Sequence, residues 1–276
     1  MNARIAFQGE LGAYSHQACR QSRPDFEPMP CATFEDVIHA VRSGEAELGM
    51  LAVENSTSGR VADVHSLLPR SGLHIIDEDF VRVHVNLLGP KGGTVDQVRE
   101  AHGHVVILPQ AATFLREHKI RPVISSDNAK AARECAEAND PTRGALASEL
   151  AAEIYGLDVL ARHIEDNAHN RTRFLVMSRT PDMSRRAERM VTTFVFHVRN
   201  IPAALYKGLG GFATNGVNMT KLESYMVGGS FTATAFYADI EGHPEDPPVQ
   251  RALEELRYFS SSLDILGVYP ASPQRK

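Results

Sequence analysis

The chain has 276 residues, 43% of them hydrophobic and 23% charged, with a formal net charge of -5. That length accommodates about two domains, and the balance is that of a globular protein, with no apolar run near the roughly 18 residues of a spanning helix. Three cysteines (Cys19, Cys31, Cys135) without CxxC spacing argue against a disulfide framework, and no Lys/Arg run suggests nucleic acid. The N-terminus carries no signal-peptide pattern, so the expectation is a cytoplasmic protein with small-molecule partners, no nucleic acid and no membrane.

Short apolar runs alternate with amphipathic stretches, which predicts an α/β fold with a mainly parallel sheet. Arg4 to Gln8 is the first predicted strand; Gly9-Glu10-Leu11-Gly12 turns the chain and Ala13 to Cys19 opens a helix. A second helix is predicted from Thr33 to Ser43, capped by Thr33 and Asp36, with Phe34, Val37, Ile38 and Val41 on one face and Gly44 ending it. Leu48 to Val53 is a buried strand that delivers Glu54 to Gly59 to its carboxyl end. Leu73 to Asp77 is a strand, and Phe80 to Leu88 follows, where Val81, Val83, Val85 and Leu87 alternate with a period of two.

A second lobe is predicted to begin there. It holds strands from Val105 to Leu108, Pro122 to Ile124 and Gly144 to Ala147, with helices after Gln110 and after Asp127. Asn167 to Thr172 reads as a polar loop and Arg173 to Met177 as the strand leaving it. The polar stretch from Thr180 to Arg189 reads as a linker. Beyond it come strands at Val191 to Val198, Val217 to Tyr225, Phe231 to Ile240 and Leu263 to Tyr269, and helices at Pro202 to Ala213 and Pro248 to Ser260. That order is βαββαβ, the ferredoxin-like arrangement.

Three polar clusters fall at predicted strand ends, where α/β proteins bind ligands. Gln8 to Ser15 combines two glycines with a helix N-terminus, whose N–H groups and partial positive charge suit an anion. Glu54 to Arg60 is rich in hydroxyls and amides, and His169 to Phe174 forms the third cluster. Taken singly, the first is also an ordinary turn, the second an Asx turn and Thr172 a strand-edge threonine. His102, His104, His163 and His169 lack a metal-ligand spacing, so no metal is expected; GxGxxG and GxxxxGK[ST] are absent, as is GxSxG around Ser56. Cys135 reads as core packing on an amphipathic helix.

Over nearly its whole length the sequence resembles the prephenate dehydratase family. The matching pieces are Phe7 to Ser15, Val53 to Gly59, Pro109-Gln110-Ala111, Ala147-Ser148 with Ala151 to Leu157, and Asn170 to Phe174, in family order. The resemblance implies a catalytic domain over residues 1–180 of the two-lobed type II periplasmic-binding-protein kind. Its lobes would be 1–78 with 165–180, and 79–164. A linker over 181–190 and a regulatory ACT domain over 191–271 would follow.

The same resemblance implies a lyase of phenylalanine biosynthesis, which decarboxylates and dehydrates prephenate to phenylpyruvate with no cofactor. Thr172 would be catalytic, with Ser15, Asn55, Ser56, Arg173 and Phe174 binding substrate. L-Phenylalanine would act as effector at Ala203, Ala204, Leu205, Glu223 and Ser224, in a homodimer or homotetramer. Departures from the family pattern are Ala203 for a glycine, Tyr225-Met226 for arginine-proline, Leu108 for histidine and Asn128 for threonine. An arogenate dehydratase and a non-catalytic amino-acid-sensing protein are the alternatives.

Overall fold

The computed structural model describes residues 3–226 and 233–275. They pack as two compact units: residues up to His65 with Asp79–Leu175, and Ser66–Glu78 with residues from Val176 onward. Among these residues no helix is long and apolar enough to cross a membrane.

In the first unit, β1 (Arg4–Gln8) is followed by α1 (Tyr14–Ser22), β2 (Glu27–Cys31), α2 (Phe34–Ser43), β3 (Leu48–Asn55), β4 (Gly59–Arg60) and α3 (Ala62–Leu67). Strand β5 (His74–Arg82) then leads across to β6 (Asn86–Gly89), β7 (Glu100–His104), α4 (Ala112–Glu117), β8 (Arg121–Ser125), α5 (Asn128–Ala138), β9 (Arg143–Ala147), α6 (Glu149–Tyr155) and β10 (Asp158–Ala161). The chain returns in β11 (Arg171–Ser178). The first lobe's sheet runs β2-β1-β3-β11-β5 and the second's β10-β6-β9-β7-β8. In each lobe the strand that has just crossed over is inserted between two strands of that lobe: β11 between the earlier β3 and β5, β6 between the later β9 and β10. That is the two-lobed, type II periplasmic-binding-protein-like arrangement.

Local sequence accounts for much of this. Ile5, Ala6 and Phe7 are fully buried, as a strand between two parallel neighbours must be. Thr33 and Asp36 form the capping box of α2, and Gly44 ends that helix with φ +85°.

Two expectations are corrected, and one strand is found where none was expected. The predicted strand from Val105 to Leu108 lies instead at β7, Glu100–His104; Val105 and Val106 are exposed at the turn after it, and a 3-10 helix runs from Leu108 to Ala111. The core contacts of β7 come from Ala101 and Gly103, which carry no apolar signal, so the more hydrophobic turn drew the prediction. The predicted strand from Phe80 to Leu88 is two strands, interrupted at residues 83–85 where the chain passes between lobes. Strand β2 was not predicted, because Pro28 and Pro30 mask it; it lies at the sheet edge, where missing N–H groups cost no ladder.

In the second unit β12 (Met190–Val198), α7 (Ala204–Thr214), β13 (Met219–Met226), β14 (Ala233–Glu241), α8 (Pro247–Phe259) and β15 (Ser260–Pro270) form the βαββαβ order, with sheet order β13-β14-β12-β15. Phe194, Phe196, Phe236 and Ile240 of the sheet pack with Phe212 of α7 and Leu253 and Leu256 of α8. The start of the strand predicted at Phe231 lies outside the described residues. β15 also meets β5 within this unit, at Gly267 and Ile75, where a Cβ on the glycine would stand 2.1 Å from the Ile75 carbonyl oxygen. Arg275 reaches back to the buried carboxylates of Glu78 (2.8 Å) and Asp239 (3.3 Å).

Ala203, the N-cap of α7, has φ +63°. For an L-residue other than glycine this left-handed conformation costs roughly 1–2 kcal/mol. Ala203→Gly relieves it and adds back part as unfolded-chain entropy, so the variant is expected to be more stable by about 0.5–1 kcal/mol in chemical unfolding. An unchanged or lower midpoint would mean that the helix start already absorbs the strain.

Candidate active site

Strand alternation decides which residues of the third cluster meet the cleft. Successive side chains on β11 point to opposite faces. Thr172 and Phe174 line a cavity of about 380 Å³ between the lobes of the first unit, whereas Arg173, only 5% exposed, turns the other way towards Glu54 at 3.8 Å.

Asn55, at the end of β3, organises the site. Its Oδ1 accepts the N–H groups of Thr57 (2.9 Å) and Ser58 (2.8 Å) and the Ser58 hydroxyl (2.9 Å), an Asx turn built on the strand end. That assigns the other amide atom as the donor. Nδ2 gives one proton to Asn170 Oδ1 at 2.7 Å and one to Thr172 Oγ1 at 3.0 Å. Thr172 Oγ1 is therefore an acceptor on that side, and its own proton is left to point elsewhere. Asn170, 1% exposed, donates in turn to Gln110 Oε1, and Gln110 Nε2 donates to the Val106 carbonyl at 2.9 Å. A line of three carboxamides thus joins the second lobe to the Thr172 hydroxyl.

Ser56 does not line the cavity. It is exposed and knits the two loops together: its hydroxyl donates to the His169 carbonyl (3.2 Å) and accepts from the Arg171 N–H (2.9 Å), and its own N–H donates to the Arg171 carbonyl (2.8 Å).

The wall opposite is the turn into α1. Gly12 has φ +95°, and a Cβ there would stand 2.8 Å from the Cα of Ala151 in the second lobe, so only glycine allows this approach. The Gly12 carbonyl accepts the Ser148 hydroxyl at 2.6 Å. Ala13 caps α1 with no side-chain bond, which leaves the amide end of the helix, with Tyr14 and Ser15, facing the cleft. Tyr14 donates its hydroxyl to the His84 carbonyl at 2.7 Å; burial, with the Glu165 charge adding, pushes its phenol well above the ordinary value, so it acts as a strut rather than a proton source.

Three ionisable side chains join these in the lining: Arg60, His104 and Asp127. Asp127 caps α5 through the Lys130 N–H at 2.9 Å, and burial raises its carboxyl, with Glu10 adding to the effect. The structure thus brings together Ser15, Asn55, Thr172 and Phe174 of the expected residues, with Ser56 and Arg173 one layer behind. Tyr14, Arg60, Gln110, Asp127 and Asn170 had been given no role from the sequence. Tyr14, Gln110 and Asn170 lie within the motifs that carry the family resemblance and Arg60 closes the second polar cluster, whereas Asp127 falls in none of them. The residues of the expected effector site belong to the second unit. Ala203, Ala204 and Leu205 start α7, and on β13 Glu223 pairs with Lys221 at 3.4 Å while the exposed Ser224 points to the other face.

A family model described as prephenate dehydratase matches residues 5–182. The bifunctional N-acyl-homoserine lactone acylase/prephenate dehydratase of Komagataeibacter europaeus is 52% identical over 99% of this chain and 97% of its own. Arogenate dehydratase/prephenate dehydratase 1 of Arabidopsis thaliana is 36% identical over 97% of this chain and 72% of its own. Among solved structures, prephenate dehydratase from Arthrobacter aurescens in complex with L-Phe is similar with a TM-score of 0.90 at 29% identity, covering 99% of this chain and 91% of that one.

The turn into α1 makes a pH prediction. His16 Nδ1 accepts the Gly12 N–H at 3.0 Å, and burial, then Arg20, lowers the imidazole's pKa. A depressed folded value means that the stabilisation is complete above the unfolded value of about 6.5 and is lost as pH falls through the folded one. Stability is expected to drop on acidification below about pH 6.5, and His16→Asn should flatten that dependence in melts taken at a series of pH values. An equally steep profile in the variant would assign the effect to other groups.

Proposed function

The chain belongs to the prephenate dehydratase family, enzymes of the carbon–oxygen lyase class, and from that premise we propose that it converts prephenate to phenylpyruvate, the step that aromatises the ring in phenylalanine biosynthesis. The observation that carries this reading is the Asn55 Nδ2 to Thr172 Oγ1 hydrogen bond at 3.0 Å. With its oxygen accepting from Asn55, the Thr172 hydroxyl has its proton available to donate to the leaving oxygen of the substrate.

In the reaction the bond from the ring to its carboxylate breaks, and its electron pair enters the ring. The bond to the 4-hydroxyl breaks at the other end, releasing carbon dioxide and hydroxide, and the hydroxide becomes water by taking a proton from the buffered medium. Aromatisation supplies the driving force. The protein has to orient the substrate and ease departure of the hydroxyl, and an aliphatic hydroxyl donating a hydrogen bond suits this better than full proton transfer. The helix end at Ala13, Tyr14 and Ser15 and the guanidinium of Arg60 are the groups suited to the carboxylates. Asn170, Gln110 and Ser56 hold Asn55 and Thr172 in place, Phe174 floors the cleft, and Arg173 supports β11 from behind.

We assign residues 1–180 to catalysis, 181–190 to the linker and 191–271 to an ACT regulatory domain in a cytoplasmic homodimer or homotetramer. L-Phenylalanine is proposed as effector, between the start of α7 (Ala203, Ala204, Leu205) and the β13 residues Glu223 and Ser224. The L-Phe complex of the Arthrobacter relative supports it. Arogenate dehydration is a second reading, supported by the Arabidopsis relative's name. Hydrolysis of N-acyl-homoserine lactones is a third, supported by the 52% identity to the Komagataeibacter relative.

Purified protein given prephenate is expected to form phenylpyruvate, followed by absorbance, and to slow on addition of L-phenylalanine. Thr172→Ala should raise the barrier by about 3 kcal/mol, a loss in kcat of roughly 100-fold or more, with Thr172→Ser retaining most activity. A wild-type rate in the folded alanine variant would remove Thr172 from the mechanism. No turnover of prephenate by the wild type would shift the assignment to the two other reactions, assayed on the same preparation.

A further inference from the structure

We propose that Asp127 is the residue through which this cleft reads the substrate's side chain, and that it admits the α-amino compound arogenate alongside the α-keto compound prephenate. The inference rests on the dehydratase reading above. The two compounds share the same ring and differ at one carbon, which bears a ketone in prephenate and an ammonium in arogenate, beside the side-chain carboxylate. Prephenate therefore enters with two uncompensated negative charges, and arogenate with two negative charges and one positive.

A site for the amino form needs an anion acceptor and a cation acceptor about one carbon apart. The turn between β1 and α1 and the start of α5 supply that pair. The N-terminus of α1 faces the cleft with Ala13, Tyr14 and Ser15 and suits a carboxylate. Asp127 comes from the other lobe to the same turn: its Oδ2 stands 3.5 Å from the position a Cβ would take on Gly9. Its Oδ1 is occupied by the Lys130 N–H in capping α5.

Capping alone does not call for a charge here, since serine, threonine or asparagine caps a helix about as well. Aspartate at this place carries a cost instead. The side chain is half-buried, its carboxyl is raised by that burial, and Glu10 adds repulsion even while held by Arg133 at 2.9 Å. Against a keto substrate the charge would also repel the dianion. Against an ammonium it becomes a charge-assisted hydrogen-bond acceptor. Apart from the Tyr14 phenol, which burial keeps neutral, the ionisable side chains among the described lining residues are one guanidinium (Arg60), one imidazole (His104) and this one carboxylate, a set better matched to arogenate than to a dianion.

Asp127→Asn keeps the helix cap and removes the charge. The test is kcat/KM for both compounds with the purified full chain, following phenylpyruvate from prephenate and phenylalanine from arogenate. The wild type is expected to turn over both, and the arogenate-to-prephenate ratio is expected to fall by about tenfold or more in the variant. Asp127→Ser, which also caps, should shift the ratio the same way and guards against misfolding of one variant. A ratio within about twofold of wild type in either folded variant overturns the proposal, as does a wild type that uses prephenate and not arogenate. Turnover of neither compound by the wild type would instead remove the dehydratase reading, and Asp127's role with it.

Discussion

Everything at the cleft depends on how one carboxamide spends its hydrogen bonds. The Asn55 carbonyl is committed to the turn that follows β3, and both amide protons are committed to Asn170 and Thr172. Nothing in that assignment can be reversed without placing donors against donors. Where the network is buried, at Asn170 and Gln110, each bond is stronger than it would be in water and each lost partner more costly. The consequence reaches beyond Asn55: Asn170 lies where the chain returns to the first lobe, and its N–H2 group is held by Gln110 of the second. Displacing one lobe relative to the other therefore disturbs the same chain of amides that aims the Thr172 hydroxyl.

The opposite wall obeys a steric constraint rather than a polar one. Gly12 has to pass within contact of Ala151, and Tyr14, tied to the His84 carbonyl, packs against the apolar core of the second lobe. These contacts bring the start of α1 to the cleft with its amide end unobstructed. Charge in the cleft is sparse, so in the proposed reading the helix end and Arg60 carry the electrostatic complement to an anion and Asp127 makes that complement selective. The second unit is stabilised differently, by aromatic packing under its two helices and by Arg275 compensating two buried carboxylates, an arrangement in which loss of the cation is costlier than loss of the whole set.

Much was legible in the sequence because it is decided locally. Hydrophobic periodicity located α2, α5, β9, β12 and α8, and the Thr33 and Asp36 capping box and Gly44 bounded a helix without any tertiary information. The βαββαβ order and the three polar clusters at strand ends followed from the same patterns. Where local signal and burial part company the reading failed: β7 buries through Ala101 and Gly103, β2 carries two prolines, and the alternating valines from Val81 to Val85 continue through a crossover between lobes.

What the sequence by itself determined is which side chains are available and which segments carry them: the Asn55 turn, the glycine turn before α1, and the Thr172 to Phe174 segment. Only the tertiary structure decided which of them converge. The pleat of β11 sends Thr172 and Phe174 to the cleft and Arg173 away from it; the pairing of the loops uses up Ser56; the pairing of β4 with β3 brings in Arg60; and the approach of the lobes adds Gln110 and Asp127 from elsewhere in the chain. The physical reason is that helix and strand formation are set by neighbours in sequence, whereas hydrogen bonds such as that between Asn55 and Thr172, 117 residues apart, exist only once β11 has returned to lie beside β3 in the first lobe's sheet.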